Sequence, residues 1–210
     1  MGDVRGGAGD RSEARTGDLL LVRHGETAWS RSGRHTGWTD LPLTPGGEAQ
    51  ARSLAPLLAG RRFSLVLSSP LARARRTADL AGVTGAVLDR DLHEWDYGAY
   101  EGVTTADIRR DRPGWDLWTD GVPPGPVDRP GESPEQVGAR ADRALARAVP
   151  ALAGGDVLLV AHSHFLRVLT ARRLGLRPAE GRLFRIETGT LNRLSTEHGR
   201  PVVAEWNVRP

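Results

Sequence analysis

Residues 18–27 read Asp-Leu-Leu-Leu-Val-Arg-His-Gly-Glu-Thr, an apolar run that ends in an arginine, a histidine and a glycine. A short aliphatic run bounded by polar residues is typical of a strand buried on both faces, so we predict a strand over 18–22. Arg23 and His24 follow its end, a position where functional side chains are concentrated. Their role depends on what the rest of the chain places beside them.

Two further apolar runs end in the same way. The strand predicted over 63–67 leads into Ser68-Ser69-Pro70-Leu71-Ala72-Arg73, and the strand predicted over 156–161 leads into His162-Ser163-His164. In open α/β sheets, ligands bind in the crevice beyond the carboxyl ends of the strands. The topology therefore gathers four side chains at one edge of the sheet: Arg23, His24, Arg73 and His162. Arginines and histidines beside helix N-termini indicate a site for a phosphate group.

Strands alternate with helices over most of the chain. Caps followed by proline at Thr44-Pro45 and Ser69-Pro70 predict helices to 59 and 81. A capping box at Ser133 predicts a helix that Pro150 ends or kinks, with one apolar face formed by Val137, Ala141, Ala144, Leu145 and Ala148. The remaining predicted elements are helices over 105–110 and 164–174 and strands over 86–88, 183–187, 191–195 and 202–206, the last two joined by a turn at 198–200. This pattern predicts an α/β fold, a three-layer α/β/α sandwich with a mostly parallel sheet and helices on both faces.

Two segments fall outside that pattern. Residues 1–17 are rich in Gly, Arg, Asp and Ser and lack apolar periodicity, so we predict a disordered N-terminal tail before a single domain over 18–210. Residues 112–131 contain five prolines and four glycines, which predicts a long loop. Loops of this length in compact domains are usually binding lids or disordered, and we expect this one to shape the pocket.

Composition excludes several classes of function. The chain has no cysteine, which rules out disulfides, thiolate metal sites and a cysteine nucleophile. Its pI near 10.3 arises because all 29 basic residues are arginine, so few groups titrate between histidine and arginine. These arginines are scattered among 26 acidic residues, and we expect no nucleic-acid partner. The apolar runs are too short to span a bilayer and the N-terminus lacks a secretion signal, so we expect no membrane association and a cytoplasmic location.

Phosphoryl transfer needs an acid for the leaving oxygen, and residues 92–102 are dense in carboxylates and aromatic side chains. Burial beside Trp95 would raise the pKa of a carboxyl group and keep it protonated near neutral pH. The residues alone do not choose among Glu94, Asp96 and Glu101.

Four ordered motifs together carry a family resemblance: Arg23-His24-Gly25-Glu26-Thr27, Ser68-Ser69-Pro70-Leu71-x-Arg73-Ala74, Glu94-x-x-Tyr97-Gly98-x-x-Glu101-Gly102 and Val160-Ala161-His162. Over roughly 18–207 the chain resembles the histidine phosphatase superfamily, which includes cofactor-dependent phosphoglycerate mutases and many phosphatases. The resemblance implies a phosphoglycerate mutase-like fold and a transient phosphohistidine at His24. It further implies that Arg23, Arg73 and His162 grip the phosphoryl oxygens, and that Glu94 is the proton donor and later activates water.

No metal or other cofactor is expected, since the resemblance implies a cationic pocket in its place. The His162-x-His164 pair could suggest a metal site, but it has no evident third ligand.

Departures from the mutase pattern favour a phosphatase. Mutases typically have an asparagine where Ser30 follows Trp29, a lysine near Thr104-Thr105, and a Gly-Asn pair where this chain has Ser163-His164. They also carry an arginine pair for the substrate carboxylate, whereas residues 115–121 contain no arginine. Without these cations, water becomes the expected acceptor of the phosphoryl group.

The stretch from Arg34 to Thr44, together with Glu94-Trp95-Asp96-Tyr97-Gly98, looks most similar to the superfamily's phosphatases of small metabolites, including sugar phosphates. A monomer or homodimer is expected. The expected substrate contacts are Ser30, Thr36, Gly37, Tyr97, Ser163 and His164. Thr36 and Gly37 would offer backbone amides, and Ser163 would narrow the pocket. Two alternatives stay open: a cofactor-dependent phosphoglycerate mutase, and a non-catalytic module that binds a phosphorylated ligand.

Overall fold

The computed structural model describes residues 16–210, so most of the tail predicted over 1–17 lies outside the described residues. Its six-stranded sheet has the order β3-β2-β4-β1-β5-β6. The strands are β1 (Leu19–Arg23), β2 (Phe63–Ser68), β3 (Val87–Leu88), β4 (Asp156–Ala161), β5 (Leu191–Glu197) and β6 (Arg200–Val208). The first four run parallel, while β5 is antiparallel to β1 and β6 is antiparallel to β5. The sheet is therefore mixed and mostly parallel.

Helices cover both faces of this sheet. Within the described part of the chain they are α1 (Ala28–Ser32), α2 (Pro45–Ser53), α3 (Ala55–Leu58), α4 (Ala72–Leu80), α5 (Thr105–Asp111), α6 (Leu117–Asp120), α7 (Pro134–Ala151) and α8 (Ser163–Arg173). Short 3₁₀ turns occur at Arg90–Leu92, Gly98–Tyr100, Leu152–Gly154 and Pro178–Leu183. Between residues 16 and 210 there is no helix with the length and apolar character needed to cross a bilayer.

The core divides into two layers because successive side chains of a strand point to opposite faces. Leu19 and Leu21 of β1 belong to a cluster that includes the buried faces of α7 and α8. Leu20 and Val22 belong to a second cluster with Leu54 and the small residues of α4. This arrangement confirms the predicted three-layer sandwich, and the predicted apolar face of α7 is buried along its whole length.

The structure departs from the predicted elements in several places. A helix was predicted from Thr44 to residue 59, but it breaks at Leu54, where Pro56 removes a backbone donor. No strand forms over 183–187. The segment follows the 3₁₀ turn Pro178–Leu183, and its Glu187 amide donates to the Asn207 side chain instead of to a strand. The loop over 112–131 contains the short helix α6.

The cap predicted at Ser69-Pro70 is also wrong, since α4 begins only at Ala72. The Ala72 amide donates to the carboxylate of Asp40, at 2.8 Å, and the Ser69 hydroxyl lies 2.8 Å from His162, which follows β4. By contrast, the capping box at Ser133, the end of α7 one residue after Pro150 and the hairpin turn at His198-Gly199 are confirmed.

Candidate active site

The carboxyl ends of three neighbouring parallel strands meet at one place. Arg23 pairs with Ala161, and Ser68 with Val160, so the residues that follow β1, β2 and β4 emerge side by side. A cavity of about 230 Å³ opens there. The side chains and backbone that line it belong to Arg23, His24, Ser30, Gly33, Arg34, His35, Thr36, Glu94, Tyr97, Thr105, Ser163 and His164.

His24 presents one ring nitrogen to this cavity. Its Nδ1 lies 2.7 Å from the carbonyl oxygen of Gly25, which only accepts, so Nδ1 carries the proton and Nε2 keeps its lone pair. Burial lowers the pKa of His24 well below its ordinary value, and the charges of Arg73 and Arg23 lower it further. The ring is therefore neutral, with Nε2 free to act as a nucleophile.

Glu94 is the carboxyl group that faces the same cavity. Its Oε1 accepts from the amides of Trp95 and Phe165, both at 2.9 Å, and its Oε2 accepts from the amide of His164 at 3.1 Å. Burial raises the pKa of Glu94, although these amide bonds and the charge of Arg73 oppose the rise. Because Oε1 accepts two bonds, Oε2 is the oxygen able to carry a proton.

The other two carboxylates of this region have structural partners. Asp96 accepts from the amides of Gly98 and Gly131, and Glu101 accepts from those of Gly37 and Thr39. Neither side chain lines the cavity. The geometry thus distinguishes Glu94 from its neighbours where the residues alone did not.

Arg73 and His162 lie behind the cavity, fully buried. The Arg73 guanidinium directs four of its five N–H groups to protein acceptors, namely His162 Nδ1 and the carbonyls of Thr39, Thr36 and Gly37. His162 Nε2 lies 2.8 Å from the Ser69 hydroxyl. Because Nδ1 accepts from a guanidinium, Nε2 carries the proton, and burial lowers the pKa of His162 well below its ordinary value.

Arg23 has fewer partners than Arg73. It donates to the Ile186 carbonyl at 2.6 Å, while its Nε is buried without a hydrogen-bond partner among residues 16–210. Burial lowers the pKa of the Arg23 guanidinium, and the nearby Glu94 opposes that shift. The Nη2 of Arg23 also has no partner in this range, and because Arg23 lines the cavity, this nitrogen has hydrogen-bonding capacity left for a ligand.

Aromatic side chains form the opposite wall. The hydroxyl of Tyr97 lies 2.6 Å from His164 Nδ1, and the His35 ring packs 4.7 Å from the Tyr97 ring. The His164 ring also meets Trp118 edge-on at 5.4 Å. Burial lowers the pKa of His35 to about 4 and lowers that of His164 well below its ordinary value, so both rings are neutral at physiological pH.

Comparison with protein families identifies the family to which this chain belongs. The model of the histidine phosphatase superfamily (branch 1) matches residues 19–209. The chain belongs to this superfamily. The family match covers the whole described sheet, and it agrees with the four motifs that suggested the resemblance.

Among relatives of this histidine phosphatase chain, an acid phosphatase of Mycobacterium tuberculosis is 45% identical over 183 residues, covering 86% of this chain and 87% of the relative. A sedoheptulose 1,7-bisphosphatase of Saccharomyces cerevisiae is 36% identical over 190 residues, covering 75% and 67% respectively. A probable phosphoglycerate mutase of Photorhabdus laumondii is 32% identical over 194 residues, covering 90% of each chain. A solved structure of an open reading frame product from M. tuberculosis has a TM-score of 0.86 and 42% identity, covering 93% of this chain and 99% of that one.

These findings support a phosphatase activity and a phosphoglycerate mutase-like fold. Eight of the eleven predicted site residues line the cavity beside His24. They are Arg23, His24, Ser30, Thr36, Glu94, Tyr97, Ser163 and His164. Arg73 and His162 lie behind it. Gly37 does not fit its predicted part, because its amide donates to Glu101 at 2.9 and 3.0 Å and is not open to a substrate.

Sequence reasoning missed some residues near the site. His35 and Thr105 line the cavity but did not stand out as ligands, because they come from a loop and a helix start that only the fold brings in. Arg167 was also missed, although it follows Ser163 by four residues on α8 and therefore lies on the same helix face. That spacing was the available signal.

His162 and His164 contact different parts of the site. His162 contacts Arg73 and Ser69, whereas His164 contacts Tyr97 on the other side of the cavity. Across residues 16–210, no group of three or more histidine and acidic side chains is arranged to hold a metal ion.

Proposed function

We propose that this chain is a metal-independent phosphatase that hydrolyses a small phosphorylated metabolite through a phosphohistidine at His24. The observation that carries the proposal is the placement of a neutral histidine, with Nε2 free, in one cavity with a buried carboxyl group of raised pKa. A nucleophile and a proton donor are the two groups that the reaction requires.

In the first step, the lone pair of His24 Nε2 attacks phosphorus, and the bond between phosphorus and the ester oxygen breaks. Glu94 Oε2 gives its proton to the departing oxygen, so the product leaves as a neutral alcohol. The Nδ1 bond to the Gly25 carbonyl holds the ring in the required tautomer and stabilises the positive charge that the ring gains.

In the second step, the Glu94 carboxylate removes a proton from water as the water oxygen attacks phosphorus. The phosphorus–nitrogen bond breaks, inorganic phosphate forms, and His24 returns to its neutral state. Glu94 has then regained the proton it lost, so the cycle closes without another acid or base.

Two guanidiniums supply the positive charge for the transition state. Arg23 lines the cavity together with His24, and Arg73 bonds to His162, whose ring lies 5.1 Å from the His24 ring. The Nη2 of Arg23 has no partner within residues 16–210 and can donate to a phosphoryl oxygen, while Arg73 and His162 act from the layer behind. Their charge replaces the cation that other phosphoryl-transfer enzymes recruit.

The names of the relatives support the class of substrate. One relative is named an acid phosphatase, and another is named a phosphatase of a sugar bisphosphate, sedoheptulose 1,7-bisphosphate. The cavity of about 230 Å³ holds a phosphoryl group and a few further atoms, which fits a small metabolite. Ser30, Thr36, Tyr97, Ser163 and His164 are the residues we propose as its contacts.

The proposal is tested by phosphate release from p-nitrophenyl phosphate and a panel of sugar phosphates in the presence of EDTA. We expect release by the wild-type chain and a loss of at least about 10³-fold in His24→Asn, because the nucleophile is gone. His198→Asn, in the exposed hairpin turn, is the matched control and should retain activity. Full activity of His24→Asn would refute the mechanism.

Phosphoglycerate mutase activity is the second candidate, favoured by the relative of P. laumondii. It requires interconversion of 3-phosphoglycerate and 2-phosphoglycerate with a bisphosphate primer. Interconversion faster than phosphate release would replace the phosphatase proposal with this one. Ligand-induced stabilisation without any turnover would instead indicate the non-catalytic binding module.

A further inference from the structure

A second cavity adjoins the first on the far side of Arg23. It has a volume of about 320 Å³ and shares Arg23, Ser30 and Ser163 with the His24 cavity. We call it the arginine pocket, because its charged lining consists of Arg23, Arg31, Arg167 and Arg185 with two glutamates, Glu26 and Glu187. The catalytic proposal uses only Arg23 from this set.

The charges of the arginine pocket do not balance. Glu26 lies 3.8 Å from Arg31, and Glu187 lies 2.8 Å from Arg185, so these four residues form two ion pairs. Arg23 and Arg167 have only carbonyl acceptors, and within the described range 16–210 neither has a carboxylate in salt-bridge contact. The lining of the arginine pocket therefore carries two more positive than negative charges.

These two guanidiniums are also partly withdrawn from water. Burial lowers the pKa of Arg167; Tyr97 and Glu94 oppose this shift, and the nearby charge of Arg23 adds to it. Arg23 lines both cavities, and its Nη2 donates no hydrogen bond within residues 16–210. A bound anion would offset the repulsion between the two cations and accept charge-assisted hydrogen bonds from them.

The orientation of the Arg167 guanidinium is fixed by its neighbours. Its guanidinium stacks on the Trp118 ring at 4.7 Å and donates to the carbonyls of Gly181 and Arg182 at 3.0 and 2.9 Å. A planar fork fixed by stacking loses little freedom when it binds. Arg31 and Arg185, whose side chains are 67% and 84% exposed, border the pocket on the solvent side within their ion pairs.

We propose that the arginine pocket is a second anion subsite, so that the substrate is a small phosphomonoester with a further phosphate or carboxylate group. The inference rests on the proposed function, because the phosphoryl group on its way to His24 occupies the first cavity. Since Arg23 lies in the wall between the two cavities, it contacts both anionic groups of such a substrate.

The experiment compares kcat/KM within pairs that differ by one anionic group. Fructose 1,6-bisphosphate is set against fructose 6-phosphate and fructose 1-phosphate for a second phosphate. For a carboxylate, 3-phosphoglycerate is set against glycerol 3-phosphate. We expect the doubly anionic member of at least one pair to be favoured at least about tenfold, which corresponds to one charge-assisted contact of about 1.4 kcal/mol. The favoured pair identifies the second group.

Two variants locate that preference. Arg167→Met should reduce it about tenfold through KM, but this residue also anchors the loop after α8 and the variant can fail to fold. The double variant Arg31→Gln/Arg185→Gln changes only exposed side chains and should reduce the preference severalfold. The double variant Arg52→Gln/Arg75→Gln alters net charge equally on the other side of the sheet and should keep the wild-type preference.

The outcomes separate the two proposals. Hydrolysis of p-nitrophenyl phosphate with equal kcat/KM across both pairs overturns the subsite and leaves the phosphatase intact. So does a preference that survives in Arg31→Gln/Arg185→Gln, or that falls equally in the control variant. If no phosphate is released from any substrate, p-nitrophenyl phosphate included, the proposed function fails and the inference fails with it.

Discussion

The His24 cavity and the arginine pocket share one wall but are built in opposite ways. In the His24 cavity, His24, Glu94 and His162 are buried, and hydrogen bonds fix their orientation. In the arginine pocket, Arg31 and Arg185 are exposed and pair with glutamates at the surface. Reaction chemistry needs fixed geometry, whereas selection among ligands tolerates adjustable side chains. We therefore expect substitutions to have large effects on one side of Arg23 and modest ones on the other.

In the His24 cavity, the substitution Glu94→Gln should have the largest effect. It keeps the shape of the side chain but removes the transferable proton, so we expect kcat for an alkyl phosphate to fall by about 10²–10⁴-fold. The loss should be smaller for p-nitrophenyl phosphate, whose leaving group needs less protonation. Steady-state kinetics on both substrates measure the contrast. Equal, small losses on both would assign the proton to another group.

Arg73→Lys tests whether the geometry of the Arg73 guanidinium, behind the His24 cavity, matters for activity and stability. Lysine keeps the charge but cannot reproduce the fork that binds the carbonyls of Thr39, Thr36 and Gly37. We expect kcat to fall by about 10²-fold, as for the loss of one transition-state donor, and unfolding to become easier by about 2 kcal/mol. Kinetics and thermal unfolding measure the two effects. The neighbouring exposed Arg75→Lys is the control, and a variant at Arg73 that behaves like it would show that the guanidinium geometry is unimportant.

In the His24 cavity, His35 should make the stability of the fold depend on pH, with a smaller effect than the two substitutions above. Its folded-state pKa of about 4 lies below the ordinary histidine value near 6.5. The unfolded chain therefore binds a proton first as the pH falls, so stability is complete above about 6.5 and is lost as the pH falls towards 4. From pH 7 to pH 5 this one residue should cost about 2 kcal/mol, and His35→Gln should lose correspondingly less stability over that range. Unfolding curves at both pH values decide, with His198→Gln as the exposed control. An identical loss in His35→Gln would contradict the assignment.

Much of this architecture follows from local signals in the sequence. The aliphatic runs of β1, β2 and β4 predict buried parallel strands, and the topology of such sheets then places Arg23, His24, Arg73 and His162 at one edge. The cap at Ser133 and the apolar face of α7 were likewise readable, because these signals depend on residues three and four positions apart.

The failures share a cause, since each depends on a partner distant in the chain. The Ser69 cap failed because a histidine 93 residues away lies against the serine hydroxyl. The expected Gly37 amide donor is taken by Glu101, 64 residues on. The choice of Glu94 over Asp96 likewise needed Gly131, whose amide engages Asp96. Spacing along a single sequence contains no record of such pairings.

The carboxyl group of Glu94 also caps the N-terminus of helix α8. Its oxygens receive the amides of His164 and Phe165, in the first turn of α8, where the helix carries its positive end. In the proposed mechanism, the negative charge that Glu94 gains on losing its proton lies where the helix dipole favours an anion. The amides of α8 lower the free energy of that deprotonation, against the burial that raises the pKa of Glu94. Helix α8 would therefore stabilise the charged form of Glu94 once in each proposed catalytic cycle.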